Sequence, residues 1–362
     1  MSARCGGRKL FAGIPLPPAD SSVPPGNDPC AAGGSFRVST AFPSIERVKR
    51  LAALAVLACL SASAGSEGAT PSWKRAAPIP LPRSEVAAAA VGNEIVVVGG
   101  FLQSGGSSSR VDAYSPARNR WRRLPNLPVA VNHPMAAAAR GRLYVLGGYG
   151  ATGPLRTAFV FSQGRWTRLP DMPEARAAAG AAVVGRTLYV MGGVTDAGRV
   201  GNRELARTGL AFALDSRRWS TIEGPTPREH LGVTAARGAV YVVAGRTAGF
   251  DTNLDLLEVY VPSRRTWSRL PSVPGRRGGT GATAAANAIV SVGGEAVPGT
   301  IRSVYRFDLT TRRWRRLPDM RTPRHGLAVV GFRGRVYAIA GGPTPGLSVS
   351  AANEYLVLRG SR

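Results

Sequence analysis

The feature that most limits what this chain can fold into is a hydrophobic segment that ends in two small residues and recurs six times. The copies read IVVVGG, LYVLGG, LYVMGG, VYVVAG, AIVSVGG and VYAIAG. The first small residue of each pair, 45 to 52 positions after the previous one, is Gly99, Gly147, Gly192, Ala244, Gly293 or Ala340. Self-similarity at a fixed period of this size is the signature of a repeat architecture.

A strand that ends in glycines can also begin a phosphate-binding loop. A dinucleotide site needs G-x-G-x-x-G at the start of a helix, and a P-loop needs G-x-x-x-x-G-K-[ST]. The residues after Gly148 read YGATGPLRTAFVF, which supplies Gly, Pro and strand-forming residues but no helix N-terminus to hold an anion. We therefore interpret the glycines as structural.

The tryptophans follow the same period. Each lies 25 or 26 residues before the next first small residue, and together they are Trp73, Trp121, Trp166, Trp219, Trp267 and Trp314. Between them, each repeat carries a run of small residues such as VAAAAV (86–91), the hydrophobic segment, and an alternating apolar run such as VYRFDL. Small side chains suit the innermost strand of a radial array, where strands crowd toward an axis. Each repeat thus predicts four strands, and we expect the tryptophans to be core residues.

At this point the chain resembles the kelch-repeat family, whose marks are the diglycine after the second strand and the Trp on the fourth. The resemblance covers about residues 70–360 and implies an all-β, six-bladed β-propeller with four-stranded antiparallel blades. The last repeat ends at NEYLVLRGSR without a Trp strand, whereas Trp73 precedes the first glycine pair. We therefore expect an N-terminal strand near Trp73 to complete the last blade and close the ring, which removes free strand edges.

The region before the repeats has a different composition. Residues 1–44 are rich in Gly, Pro, Ser and Ala and are interpreted as a disordered extension, or as a mis-assigned start with translation beginning near Val48. Residues 45–64 combine basic residues, a short apolar run and ASA, which is the pattern of a secretory signal peptide. Residues 65–69 would be a linker, and 70–362 the propeller. Alternatives are a core helix, or a lipoprotein signal with Cys59 as the lipid anchor.

The charge and the cysteine content of the chain limit which partners and cofactors we expect it to bind. The chain has 47 Lys+Arg against 21 Asp+Glu, yet the arginines are spread over all repeats without a basic block. We therefore expect no nucleic-acid partner. The repeats contain no cysteine, which excludes thiolate metal sites there, and we predict no cofactor and no metal. We expect a monomer with no membrane span.

Candidate ligand-binding residues lie in three-residue segments that begin sixteen positions before each first small residue. Five of the six segments start with Arg, and all three histidines of the chain fall in these segments. The predicted site residues are Arg83, Glu85, Asn132, His133, Arg176, Arg228, Glu229, His230, Arg277, Arg324 and His325. One interpretation is a ring of guanidiniums that grips an anion, since Arg binds carboxylates bidentately. The other is that these arginines tie blades together by hydrogen bonds.

The resemblance leaves three functions to weigh. The first, which we favour, is a secreted or cell-envelope binding module for an anionic carbohydrate or a protein. The second is a sialate-type mutarotase or epimerase, with Glu229, His230 and Glu85 as candidate acid/base residues. The third is a copper oxidase resembling galactose oxidase. That family needs a Tyr joined to a Cys, and the repeats here contain no cysteine, so this activity is disfavoured.

Overall fold

The six sequence repeats become six four-stranded antiparallel sheets, the blades of a β-propeller. A computed structural model describes residues 71–198 and 203–358. The predicted extension, signal peptide and linker (1–69) lie outside these described residues. The predicted fold class, number of blades and strand count per blade are all confirmed.

The strands are numbered β1 to β26 along the chain. Strand β1 is Lys74–Arg75. Blade 1 contains β2 (Ala87–Val91), β3 (Glu94–Val98), β4 (Val111–Ser115) and β5 (Arg120–Arg123). Blade 2 contains β6 (Met135–Ala139), β7 (Arg142–Leu146), β8 (Ala158–Ser162) and β9 (Arg165–Arg168). Blade 3 contains β10 (Gly180–Val184), β11 (Thr187–Met191), β12 (Thr208–Ala213) and β13 (Arg218–Glu223). Blade 4 contains β14 (Gly232–Ala236), β15 (Ala239–Val243), β16 (Leu257–Val261) and β17 (Thr266–Leu270).

Blade 5 contains β18 (Gly281–Ala285), β19 (Ala288–Val292), β22 (Val304–Asp308) and β23 (Trp314–Leu317). A small hairpin of β20 (Glu295–Ala296) and β21 (Gly299–Thr300) projects from it. Blade 6 contains β24 (Ala328–Phe332), β25 (Arg335–Ile339) and β26 (Asn353–Val357). The one helix in the described part of the chain is a 3₁₀ turn, Phe250–Thr252. No helix there is long and apolar enough to cross a membrane.

The ring closes as the sequence predicts. Strand β1 pairs antiparallel with β26, with Lys74 opposite Tyr355 and Arg75 opposite Glu354. This makes β1 the outer strand of blade 6 and joins the two ends of the repeat array in one sheet. Trp73, just before β1, is buried in the apolar cluster between blades 5 and 6.

The side chains of the inner strands are small because these strands pack against one another around the axis. A Cβ added at Gly232 on the inner strand of blade 4 would lie 2.5 Å from the Cβ of Ala282 on blade 5. Added Cβ atoms at Gly180 and Gly281 would collide with valines of the next blade. Larger side chains are placed on the second and third strands, and their apolar clusters fill the gap between each pair of neighbouring blades.

The glycine pair connects neighbouring blades. In all six blades the second residue of the pair donates its backbone N–H, at 2.8–2.9 Å, to the carbonyl of the first residue in the next blade's leading segment. That second residue has φ from +88° to +118° and is always Gly. The first residue is left-handed at a milder φ, which alanine tolerates at modest cost, so Ala244 (φ +54°) and Ala340 (φ +59°) can replace glycine there.

The tryptophans form a second set of inter-blade contacts at the outer edge. Each indole Nε1–H donates, at 2.7–3.1 Å, to a backbone carbonyl at the end of the preceding blade's outer strand; the acceptors are Pro318, Ala77, Pro125, Pro170, Glu223 and Pro271. Trp73 is buried, whereas the other five are half-buried and pack on an aromatic ring of their own blade. Their role is thus partly core packing and partly blade-to-blade hydrogen bonding.

Candidate functional site

The leading segment of each blade, the three residues that begin at Arg83 or its equivalent, runs along the rim of the central channel. The second residue of every leading segment forms a β-bridge with the residue that follows the glycine pair of the same blade. These six pairs are Ser84–Phe101, Asn132–Tyr149, Ala177–Val194, Glu229–Arg246, Gly278–Glu295 and His325–Gly342. The fold therefore presents both sets of side chains on one face.

The third residue of each leading segment forms a ring around the channel. These ring residues are Glu85, His133, Ala178, His230, Gly279 and Gly326, and all six have φ between +50° and +60°. From Glu85 to Gly326, each backbone carbonyl accepts the N–H of the next ring residue at 2.9–3.2 Å. The carbonyl of Gly326 accepts the N–H of Val86 at 3.4 Å and completes the circle.

This ring brings distant residues together at one opening, above which lies a cavity of about 750 Å³, here named the mouth pocket. Glu85, His133 and His230 line its floor, with His325 beside them. Such a volume is typical of a small-molecule site. Six of the eleven predicted site residues thus lie at or directly beneath one pocket: Glu85, Asn132, His133, Glu229, His230 and His325.

The histidines are held by close polar contacts. His133 Nδ1 lies 2.5 Å from Asn132 Oδ1, and its Nε2 lies 3.0 Å from His230 Nε2 and 3.2 Å from Glu85 Oε2. His230 Nδ1 lies 3.2 Å from Glu229 Oε1, although without hydrogen-bond geometry. Burial lowers the pKa of His133 to about 3, so this imidazole is neutral at physiological pH.

His325 contacts the other carboxylate oxygen of Glu85. Its Nδ1 lies 3.1 Å from Glu85 Oε1 and its Nε2 lies 3.1 Å from the carbonyl of Thr344. Burial by itself would lower the pKa of His325, but the hydrogen bond and the charge of Glu85 outweigh it and raise that pKa. Burial would likewise raise the pKa of Glu85, but the neighbouring histidines hold it well below its usual range. The two groups therefore favour an ion pair.

A second ionic group forms one wall of the pocket. Arg246 donates to Glu229 Oε1 at 3.2 Å and to Glu295 Oε1 at 2.7 Å, and its guanidinium lies 5.0 Å from the Phe250 ring centroid. Arg203 donates to Glu229 Oε2 at 3.4 Å and lies over the ring of Tyr149. Burial would raise the pKa of Glu229, but His230 and these arginines lower it to about 2.

The aromatic residues complete the pocket. The rings of Phe101 and Tyr149 meet His133 edge-on, each with its centroid 5.5 Å from that of His133. Burial raises the pKa of the Tyr149 hydroxyl to about 12. Phe250 and Leu347, both more than a third exposed, border the opening. The pocket therefore combines an ionic floor and one ionic wall with aromatic and apolar residues on its other sides.

The five predicted arginines point elsewhere. Arg83, Arg176, Arg228, Arg277 and Arg324 are at most 1 % exposed. Four of them donate to the carbonyl of the first small residue in their own blade, for example Arg324 to Ala340 at 2.7 Å. Arg176 instead bonds Thr208 and Glu174. Buried acids pair with Arg83, Arg228 and Arg324; they are Asp112, Glu258 and Glu354.

Their main chain contacts the preceding blade, through the carbonyl that accepts the second glycine's N–H. Each of these arginines therefore joins two blades, by its backbone to one and by its side chain to the other. This placement corresponds to the second interpretation, in which the arginines tie blades together, and it puts the guanidiniums outside the mouth pocket.

Known proteins carry the same repeat. The Kelch motif model matches residues 82–128 and 136–173, and the KLHDC2/KLHL20/DRC7 Kelch-repeats domain model matches 163–342. The chain belongs to the kelch-repeat family. Together these matches cover all six glycine pairs of the propeller.

Individual relatives are more distant. The kelch propeller is 29% identical to the Kelch-like protein terF of Aspergillus terreus over 236 residues, which are 60% of this chain and 51% of that protein. It is 38% identical over 76 residues (20% of this chain, 19% of the relative) to the F-box/kelch-repeat protein At4g19870 of Arabidopsis thaliana. It is 37% identical over 68 residues (19% and 10%) to Kelch-like protein 8 of Caenorhabditis elegans. The chain thus matches about half the length, or less, of these curated relatives.

The sequence analysis did not predict several residues of the mouth pocket. Phe101, Tyr149, Arg246 and Glu295 occupy equivalent positions, two residues after the first small residue of their blades. The sequence could have predicted these four residues, because their positions follow the same repeat that located the leading segments. Arg203 lies in a loop without repeat register, so nothing in the spacing could have located it.

Proposed function

We propose that this kelch propeller is a binding module that takes a carboxylate-bearing ligand in the mouth pocket. Kelch-repeat proteins are typically protein-interaction modules, and the cavity at the channel mouth offers a defined place for a ligand group. The proposal replaces the predicted ring of arginines, which are buried and hydrogen-bonded within the blades, by two cations of the pocket wall, Arg203 and Arg246.

The observation that carries the proposal is the setting of Arg203. Its side chain is 21% exposed, against 7% for Arg246, and its guanidinium lies 5.4 Å from the Tyr149 ring centroid. Its Nε already donates to the carbonyl of Gly198 at 3.2 Å and its Nη1 to Glu229, so a ligand carboxylate would be bound through Nη2, in a charge-assisted hydrogen bond. The rings of Phe101, Tyr149 and Phe250 would cover the apolar face of the same ligand.

Two sources could supply such a carboxylate: an anionic sugar or an acidic residue of a protein. Isothermal titration of the purified chain with N-acetylneuraminate, glucuronate, neutral glucose and an acidic peptide distinguishes them. We expect one acid to bind and glucose to fail. Losing a charge-assisted hydrogen bond costs roughly 1.5–3 kcal/mol, so Arg203→Ala should weaken binding by about ten- to a hundredfold.

The matched control is Arg207→Ala, since Arg207 is exposed on the same segment and does not line the pocket. Equal affinities for Arg203→Ala and Arg207→Ala, or no binding by any acid, would overturn the proposal. Rising salt should also weaken binding, because the attraction between exposed charges is screened over about 8–10 Å at physiological ionic strength.

A second candidate is a sugar-acid mutarotase or epimerase, favoured by one observation. Glu85, His133 and His325 face one pocket with pKa values displaced in different directions, as acid/base chemistry requires. Exchange NMR of N-acetylneuraminate anomers tests it. Faster exchange with the wild type than with His133→Gln would support catalysis, whereas equal rates would leave binding alone.

We further propose that the protein acts as a monomer outside the cytoplasm, exported by residues 45–64. Their basic, apolar and small-residue order supports this. Mass spectrometry of the exported product should find its N-terminus after Ala64, or a lipid on Cys59 if the lipoprotein alternative holds. A cytoplasmic species that retains Leu51–Leu60 would contradict export, and a dimeric mass in light scattering would contradict the monomer.

A further inference from the structure

Three side chains of the channel ring converge on one point at the floor of the mouth pocket. Candidate ligand atoms of Glu85, His133 and His230 all lie within 4.8 Å of one another. They come from blades 1, 2 and 4, and the backbone ring fixes where each side chain starts. All three side chains line both the pocket and the narrow channel beneath it.

The contacts around His133 leave a lone pair at this point. Asn132 Nδ2 donates to Ser107 Oγ at 2.8 Å, which directs Asn132 Oδ1 toward His133. His133 Nδ1–H therefore donates to that oxygen, and in the neutral imidazole Nε2 is the acceptor atom. His133 Nε2 lies 3.2 Å from a carboxylate oxygen of Glu85 and 3.0 Å from His230 Nε2, so three candidate ligand atoms meet at this point.

His230 approaches the same point from blade 4. Its Nδ1 lies 3.2 Å from Glu229 Oε1, and its Nε2 lies 3.0 Å from His133 Nε2. A histidine whose Nδ1–H faces a carboxylate presents the Nε2 lone pair, which is the usual arrangement of a metal-binding imidazole. Asn132, hydrogen-bonded behind the His133 ring, thus stands where a supporting residue of a metal centre stands, whereas Glu229 lies behind the His230 ring without hydrogen-bond geometry.

Two of the three distances between the donor atoms also fit. Two bonds of about 2.0–2.1 Å that meet at roughly 95–110° span an edge of about 3.0–3.4 Å. The edges from His133 Nε2 to His230 Nε2 and to Glu85 Oε2 are 3.0 and 3.2 Å. Two imidazoles and one carboxylate form a donor set for Zn²⁺ and similar divalent ions, with a further position for water or a ligand.

We infer that Glu85, His133 and His230 form a binding site for a divalent transition-metal ion such as Zn²⁺, open to the mouth pocket. The inference goes beyond the proposed carboxylate binding and does not depend on it, and it differs from the sequence-based expectation of no metal, which rested on the absence of cysteine from the repeats. The three ligands are 48 and 97 residues apart in the sequence, so only the closed ring brings them together.

The test uses the full chain without a histidine tag, stripped with EDTA and dialysed into chelator-free buffer. Titration with ZnCl₂, followed by calorimetry and metal analysis, should give about one ion per chain. Glu85→Gln should weaken binding at least about tenfold, and Asn132→Ala by about 10- to 100-fold, as expected for a supporting residue. The matched control is Glu204→Gln, an exposed carboxylate outside the pocket.

A second measurement does not depend on variants folding. The chain has only three histidines, so long-range ¹H–¹⁵N spectra of the wild type resolve each imidazole. We expect His133 as the Nδ1–H tautomer and Zn²⁺-dependent shifts of the Nε2 signals of His133 and His230. No stoichiometric uptake would overturn the inference and leave a shared proton between the rings. Uptake that leaves both Nε2 signals unshifted, or that Glu85→Gln does not weaken in a folded protein, would also overturn it.

Discussion

Replacing Arg228 by alanine separates the structural role of the buried arginines from a role in ligand binding. Arg228 is fully buried in blade 4, where it pairs with Glu258 and donates to the carbonyls of Ala244 at 2.6 Å and Thr226 at 2.8 Å. The substitution leaves the Glu258 carboxylate, on a side chain that is 8% exposed, without its cation.

Breaking a buried ion pair from one side costs about 3–5 kcal/mol, because an uncompensated charge remains. Single-domain proteins are stable by only about 5–15 kcal/mol, so this is a large share of the total. At about 2–4 °C per kcal/mol for large domains, the melting temperature should fall by roughly 6 °C or more. Ligand affinity at a temperature where the variant is folded should be unchanged.

The assay is calorimetric melting beside ligand titration for Arg228→Ala, with Arg264→Ala, an exposed arginine of the same blade, as control. The double variant Arg228→Ala, Glu258→Ala should lose less stability than the two single variants added together, because removing both partners leaves no buried charge unpaired. A melting temperature equal to that of the control, or a loss of affinity without a loss of stability, would refute this account of the arginines.

Three further predictions concern the ring and its acids. Deleting residues 71–82 should lower the melting temperature sharply and promote aggregation, since it uncovers the edge of blade 6; wild-type melting and solubility would contradict ring closure by this segment. Gly148→Ala should cost more than about 2 kcal/mol in urea unfolding, because φ is +92° and the new Cβ would lie 2.8 Å from Asn132 O; Gly141→Ala, with positive φ but open space, should cost only about 1 kcal/mol. Burial would raise the pKa of the Glu174 carboxyl, but its hydrogen bonds with Arg176 and Thr208 lower it. The stabilisation by this ion pair is therefore complete above the unfolded-state pKa of about 4.3 and is lost as pH falls through the folded pKa. Glu174→Gln should flatten the decline in melting temperature on acidification, and parallel profiles would contradict this.

The fold was predictable because every blade repeats one register. Trp73 and the incomplete last repeat sufficed to locate the closing strand, since a missing fourth strand must be supplied by the other end of the array. The rim positions of Glu85, His133 and His230 were predictable for the same reason, as equivalent residues of a ring lie at equivalent heights.

The directions of long side chains were not predictable in this way. Arg83 and Glu85 are two residues apart, yet the guanidinium of Arg83 turns into the blade toward Asp112 while the carboxylate of Glu85 faces the channel. Arg83 is held there by the carbonyl of Gly99, 16 residues later, and by an acid on the third strand of its blade, 29 residues later. The contact of His133 with His230 depends on the radius of the ring, which no local spacing encodes.

The backbone geometry of the left-handed ring residues around the channel does not depend on which side chain each residue carries. Glu, His, Ala and Gly all occupy it at nearly the same φ, and one circuit of main-chain hydrogen bonds holds them. A side chain at one ring position of the propeller can therefore be replaced while the backbone of the ring stays the same. Ala178, which already carries a Cβ facing the channel, is the position at which an engineer could install a further acid or base beside the two histidines. Single substitutions can therefore change the chemistry at the channel mouth without changing the fold, so the site and the fold can evolve independently.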